Sequence, residues 1–153
     1  MSSVNNLDVL YRQVIMDHYK NPRNKGQLDD TSLTIDMNNP TCGDRIHLTL
    51  KVEGGIVVDA KFEGEGCSIS MSSASMMTQA IKGKSIVNAI KYSKAFSDMM
   101  QGKEIDEDEL DLGDIEALQG VCKFPARIKC AMLAWKAMEK GLDVEEETEK
   151  LPN

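Results

Sequence analysis

The stretch IHLTLKVEGGIVVDAKF, residues 46–62, decides the fold that we expect for this chain. Apolar and polar residues alternate on both sides of a Gly-Gly pair, which is the pattern of two half-buried strands joined by a tight turn. Glycines tolerate the positive φ angles that two-residue hairpin turns require. The stretch LTIDM at 33–37 alternates in the same way. The sequence therefore predicts a three-stranded antiparallel meander.

Helical patterns lie on both sides of this meander in the sequence. Residues 7–19 form an amphipathic stripe that stops at Asn21-Pro22, because a residue before proline avoids helical backbone angles. Ser68 or Ser70 can cap a helix that runs to about Ile81. Further helices are predicted from Ser85, over 114–118, and from Pro125 to Gly141. This order predicts an α+β fold with helices packed on one face of a small three-stranded antiparallel sheet.

The length of 153 residues suits one domain. We predict that this domain spans residues 1–142 and that residues 143–153 form an acidic, disordered tail. The acidic stretch GKEIDEDELDLGD at 102–114 is predicted to be a solvated connection, and residues 120–125 a loop.

The charge and the apolar runs exclude several classes of function. The chain has 25 acidic and 18 basic residues and a net charge of −7, which disfavours binding to nucleic acid. No apolar run reaches the roughly 20 residues of a membrane span. The N-terminal stretch MSSVNNLDVLYRQ lacks the plan of a signal peptide. We therefore expect a cytoplasmic protein that binds neither nucleic acid nor membranes.

The chain contains four cysteines, Cys42, Cys67, Cys122 and Cys130. In a reducing compartment, metal binding or catalysis is favoured over disulfides. Cys42 precedes a predicted strand, while Cys67 and Cys130 lie near predicted helix starts, where thiolates are favoured. Such positions can converge at one edge of the sheet.

Zinc takes four ligands from Cys, His, Asp or Glu. Asp44 is separated from Cys42 by one glycine, which permits both side chains to point at one ion, so a site of three cysteines and Asp44 is constructible. The cysteines can instead be simple buried thiols, and Asp44 a turn residue.

Three further residues are alternatives for this site. His18 lies on the apolar stripe of the first helix and is expected to be packed. His47 is expected on the solvent side of its strand. Cys122 can be a spare thiol, an alternative ligand or a redox partner.

Three motifs resemble the IscU/NifU N-terminal family of iron–sulfur cluster assembly proteins. They are NPTCGDRI at 39–46, FEGEGCSIS at 62–70 and GVCKFPARIKCAMLAW at 120–135. Lys129 stands where an IscU has histidine, and the acidic segment around 101–119 resembles an insertion of the SufU branch.

This resemblance implies a zinc-dependent sulfurtransferase of iron–sulfur cluster biogenesis. It implies zinc ligation by Cys42, Asp44, Cys67 and Cys130. It also implies a SufS-type, PLP-dependent cysteine desulfurase as the sulfur donor, and downstream iron–sulfur assembly proteins as further partners. Cys42 would accept the persulfide sulfur, and Arg127 would take part in the transfer. Our hypothesis is that Cys42 is first a ligand and then the nucleophile.

Two other functions fit the same residues. The protein can be a scaffold on which an iron–sulfur cluster is assembled and transferred, because thiolates hold such clusters as well. Alternatively, zinc can be purely structural and fasten loops to a helix.

Overall fold

A computed structural model of the chain describes residues 2–29, 33–40, 43–105 and 110–150. The order of elements is the predicted one, a helix, three strands and then helices. In chain order they are α1 (Ser2–Lys20), β1 (Leu33–Asn39), β2 (Asp44–Glu53), β3 (Ile56–Glu65), α2 (Ser68–Ile81), α3 (Ile86–Met100), the 3₁₀ helix η1 (Gly113–Lys123) and α4 (Pro125–Lys150). None of the helices in the described ranges has both the length and the apolarity needed to cross a membrane.

The sheet is the predicted antiparallel meander, with strand order β1-β2-β3. Its hairpin turns at Gly54 and Gly55, whose φ angles of 57° and 77° are both positive. Leu48 pairs with Ile35 on one side and with Phe62 on the other, and all three are buried. The apolar positions therefore form continuous rows across one face.

Helices cover this apolar face. Helix α4 packs on β1 and β2, and α2 packs on β3. Trp135 of α4 is fully buried and stacks on Phe96 of α3, with ring centroids 4.9 Å apart. The predicted α+β architecture, with helices on one face of the sheet, is confirmed.

A hydrogen-bonded serine joins α2 to α4. The buried Ser73 hydroxyl donates to the carbonyl of Ala131 at 2.6 Å and accepts the indole N–H of Trp135 at 3.1 Å. The small side chains of Ser72 and Ala74 beside it are also fully buried. Because Ala131 follows Cys130 directly, this contact fixes where Cys130 lies.

The ends of two helices differ from the predictions. The N-cap of α2 is Cys67, not Ser68 or Ser70. Gly141 does not end α4, which continues to Lys150. A Cβ atom on Gly141 would lie 2.5 Å from Ile35 Cδ1, so this glycine provides room for the helix to approach the sheet. The division into a domain at 1–142 and a tail at 143–153 stays a prediction.

The segment between α3 and α4 is more ordered than we predicted. Ile105 and Leu110 pack against the core and Leu112 is buried, so the solvated connection was wrong for these residues. Residues 106–109 lie outside the described ranges. The predicted loop at 120–125 is helical as far as Lys123, and Pro125 begins α4 as predicted.

We expect Gly141→Ala to lower the free energy of unfolding by about 1–2 kcal/mol. Overpacking against Ile35 costs about 1–3 kcal/mol, which the better helix propensity of alanine offsets only in part. Urea denaturation followed by circular dichroism measures the change.

Ile35→Val provides the control, because it removes the Cδ1 atom that the new methyl group would meet. Alone it should cost about 0.5–1.5 kcal/mol. Combined with Gly141→Ala it should cost less, or restore stability. Strictly additive costs would contradict the close contact.

Candidate metal centre

Two chain connections and one helix supply the polar groups of the candidate site. Asp44 is the first residue of β2, directly after a turn closed by the Gly43 N–H, which donates to the Asn39 carbonyl at 2.8 Å. Gly43 has a φ of 74°, the left-handed conformation that the turn requires. Cys67 caps α2, and Cys130 lies in the second turn of α4. Three segments distant in sequence thus meet at one end of the sheet.

The ligand atoms of Asp44, Cys67 and Cys130 all lie within 4.8 Å of one another. In a tetrahedral zinc site, two sulfurs about 2.3 Å from the ion are about 3.8 Å apart. The three groups therefore need only small movements to reach one ion. Of the predicted ligands, these three are brought together, while Cys42 lies outside the described residues.

The carboxylate of Asp44 is fully buried. Its Oδ1 accepts a hydrogen bond from the Cys67 N–H at 3.1 Å. Its Oδ2 is buried without a hydrogen-bond partner among the described residues. Because a buried, unpaired carboxylate oxygen is costly, a carboxylate with such an oxygen in a group with two thiols fits a cation ligand. Asp44 is therefore not an ordinary turn residue.

The thiol of Cys67 is disposed towards its charged form. Burial, the largest influence, and the Asp44 carboxylate both raise its pKa, but hydrogen bonds from Ser70 and Ile69 outweigh them and lower the pKa below the ordinary value. The Ser70 N–H donates to the sulfur at 3.5 Å. From the sequence, Ser70 was predicted only as a possible N-cap of the following helix. Its position three residues after Cys67 is the signal that could have revealed this contact.

Arg127 lies beside the same two thiols. The charges of Cys67 and then Cys130 raise the pKa of its guanidinium above the ordinary value. The side chain is exposed on the first turn of α4. The structure thus brings a permanent positive charge to the edge of the candidate site.

The alternative ligands lie elsewhere. His18 is fully buried, with Nδ1 2.7 Å from Ser75 Oγ and Nε2 2.8 Å from Asp114 Oδ2, which confirms that it is packed. His47 lies on the sheet face away from the helices and contacts Asp36 at 2.6 Å. Cys122 is half-buried and does not join the group of Asp44, Cys67 and Cys130.

The family follows from a match to the sequence profile described as NifU-like N terminal domain, which covers residues 10–131. The chain belongs to this NifU-like family. The match includes all four cysteines, Asp44 and Arg127.

Relatives in this family carry two kinds of description. The chain is 76% identical over 146 residues to the zinc-dependent sulfurtransferase SufU of Bacillus subtilis, covering 95% of this chain and 98% of that protein. It is 45% identical over 140 residues to the iron–sulfur cluster assembly scaffold protein IscU of Streptococcus pyogenes, covering 92% and 87%. The resemblance to the IscU/NifU family is therefore confirmed.

The fold is also that of a solved family member. The crystal structure of a nitrogen-fixing NifU-like protein (N-terminal) from Brucella abortus matches with a TM-score of 0.80. The match covers 92% of this chain and 96% of that one, and at 21% identity it shows the shared fold alone.

We expect His18→Ala to lower the free energy of unfolding by about 2–3 kcal/mol and to leave the metal content of the folded protein unchanged. The substitution removes two hydrogen bonds at a buried position but no atom of the candidate site. Urea denaturation and metal analysis of the purified protein measure the two effects.

His47→Ala is the matched control. Its partly exposed contact with Asp36 contributes at most about 1 kcal/mol, so this variant should be close to the parent protein. Loss of bound metal from folded His18→Ala protein would show that His18 belongs to the metal centre.

Proposed function

We propose that this protein is a zinc-dependent sulfurtransferase of iron–sulfur cluster biogenesis. It accepts sulfur from the persulfide of a SufS-type, PLP-dependent cysteine desulfurase. It then passes the sulfur to downstream iron–sulfur assembly proteins in the cytoplasm. The observation that carries the proposal is the meeting of Asp44, Cys67 and Cys130, in which one buried oxygen of Asp44 has no hydrogen-bond partner among the described residues.

The zinc ligands of the proposal are Cys42, Asp44, Cys67 and Cys130. Three sulfur donors and one carboxylate donor suit zinc, which takes four ligands. Cys42 is two residues from Asp44 along the chain. Bound zinc would keep the thiols deprotonated and, being redox-inert, would not oxidise a persulfide. The identity of 76% to a protein described as zinc-dependent supports this choice of metal.

Cys42 is the proposed sulfur acceptor. Its thiolate attacks the outer sulfur of the desulfurase persulfide and forms a new S–S bond. The S–S bond of the donor breaks at the same time, and the enzyme cysteine leaves as a thiolate. The exchange conserves atoms and charge and needs no external oxidant or reductant. Its position in the sequence, two residues before Asp44, supports this role.

Arg127 is the proposed anion-binding group of the transfer. Its guanidinium lies beside Cys67 and Cys130, where the anionic sulfur of the donor would arrive. A guanidinium stays charged throughout the physiological pH range, so its attraction for thiolate and persulfide does not depend on protonation.

We expect Cys42→Ser to abolish sulfur acceptance, because a hydroxyl cannot carry the persulfide. The assay mixes the protein with a SufS-type desulfurase and L-cysteine. Mass spectrometry without reductant detects the gain of one sulfur atom, and alanine release reports desulfurase turnover. The parent protein should stimulate turnover at least tenfold more than the variant.

Cys122→Ser is the matched thiol control and should behave as the parent, since Cys122 lies outside the candidate site. Persulfide formation on another cysteine of Cys42→Ser would contradict the assignment. The family also includes proteins described as scaffolds. A labile visible-absorbing cluster, formed by anaerobic reconstitution and transferred to apo-proteins without stimulation of the desulfurase, would favour that second function.

We expect Arg127→Ala to reduce sulfur transfer about tenfold with little change in stability or zinc content, because the side chain is exposed. Arg127→Lys, which keeps the charge but not the planar fork, should be intermediate. Lys129→Ala, an exposed cation two residues further along α4, is the control. If Arg127→Ala transferred sulfur at the rate of the parent protein, Arg127 would have no role in the transfer.

A further inference from the structure

Gly66 lies between β3 and α2, where the missing side chain of a glycine leaves room for two other side chains. A Cβ atom built at this position would lie 2.5 Å from Asp44 Oδ1 and 3.1 Å from Asp44 Cγ, and closer still to Ser70 Oγ. Ordinary contacts of a Cβ atom are longer than 3.0 Å. The space above Gly66 is therefore occupied by the Asp44 carboxylate and the Ser70 hydroxyl.

The backbone conformation of Gly66 does not explain the glycine. Gly66 is absent from the residues with positive φ, in contrast to Gly43 and Gly64. A positive φ angle is therefore not the reason for glycine at position 66. What position 66 needs is space.

This space is where the Asp44 carboxylate meets the start of α2. The bond from the Cys67 N–H to Asp44 Oδ1 requires the carboxylate to lie over Gly66. The positive end of the α2 dipole favours the same arrangement. With Oδ1 held by the helix, Oδ2 remains buried without a hydrogen-bond partner among the described residues, on a carboxylate that has an oxygen within 4.8 Å of both sulfurs.

We propose that Gly66 is a positioning residue for the metal centre, which holds the Asp44 carboxylate against the N-terminus of α2 and so makes Oδ2 available as a ligand. This inference rests on the zinc site proposed above. Gly66 itself touches neither metal nor sulfur in this role. It acts only through Asp44.

Gly64 shows by contrast why Gly66 can be tested cleanly. A Cβ atom on Gly64 would meet the backbone carbonyl of Arg45 in the neighbouring strand, which cannot move without breaking the sheet. The three atoms nearest to a Cβ atom on Gly66 all belong to side chains. Gly66→Ala protein should therefore fold, with the Asp44 carboxylate displaced from Cys67.

The test compares Gly66→Ala with Gly120→Ala. Gly120 is an exposed glycine of η1 with open space around its Cβ position and no positive φ. Zinc affinity is measured by competition with a chromophoric chelator, coordination by the visible absorption of the cobalt-substituted protein, and stability by thermal unfolding of the metal-free protein.

We expect Gly66→Ala to weaken zinc binding at least tenfold. It should also weaken the intense cobalt absorption that tetrahedral thiolate coordination produces. The metal-free Gly66→Ala protein should unfold within a few degrees of the parent. Gly120→Ala should match the parent in all three measurements.

Ser70→Ala distinguishes the effects of the two side chains that lie over Gly66, those of Asp44 and Ser70. If the Asp44 carboxylate is the group displaced, Gly66→Ala with Ser70→Ala should bind zinc no better than Gly66→Ala alone. Recovery of affinity in the double variant would assign the effect to Ser70 and overturn the inference.

Two other results would also overturn the role of Gly66. One is parent-like zinc affinity and cobalt absorption in Gly66→Ala. The other is a metal-free Gly66→Ala protein that does not fold, since the glycine would then serve the fold. Failure of the parent protein itself to bind zinc would instead refute the proposed function.

Discussion

The burial of one carboxylate, that of Asp44, is the constraint on which the structure of the candidate metal centre depends. Asp44 has no exposed surface, and a buried charge is stable only with hydrogen bonds or an opposite charge. The Cys67 N–H satisfies one oxygen and so ties the start of β2 to the start of α2. The other oxygen is buried without a hydrogen-bond partner among the described residues, and the carboxylate lies beside the thiols of Cys67 and Cys130. A cation at this point would resolve the electrostatic cost, which gives the site a physical reason to bind one.

The third group depends on packing that begins farther away. Cys130 is placed by α4, whose register on α2 is fixed by the Ser73 contacts with Ala131 and Trp135. Trp135 in turn stacks on Phe96 of α3. The core therefore does more than stabilise the fold, because the position of one thiol is set by a stacked aromatic pair and one serine hydroxyl.

The sequence predicted best those features that depend on local chemistry. Alternation around Gly54 and Gly55 was sufficient for the hairpin, because the turn and the strands each have a local signature. The convergence of Asp44, Cys67 and Cys130 followed from their places at the ends of predicted elements. The family resemblance selected among the chemistries that this convergence permits.

Features set by contacts between distant residues were missed. Glycine is common at helix ends, which is why Gly141 was predicted to end α4. In the structure, its lack of a side chain allows the helix to contact Ile35, more than a hundred residues earlier in the sequence. Cysteine is an uncommon N-cap, so serine was preferred over Cys67. The hydrogen-bond partners of the buried His18 lie 57 and 96 residues away, and no local pattern identifies them.

The spread of the site along the sequence has a consequence for biosynthesis. When Cys67 has left the ribosome, the nascent chain already contains two members of the group of Asp44, Cys67 and Cys130. The set is incomplete until Cys130 has emerged and α4 has docked on α2. Since domains fold as units during synthesis, the complete donor set is a late product of folding. A metal held by all of these groups would therefore report that the C-terminal helix is in place.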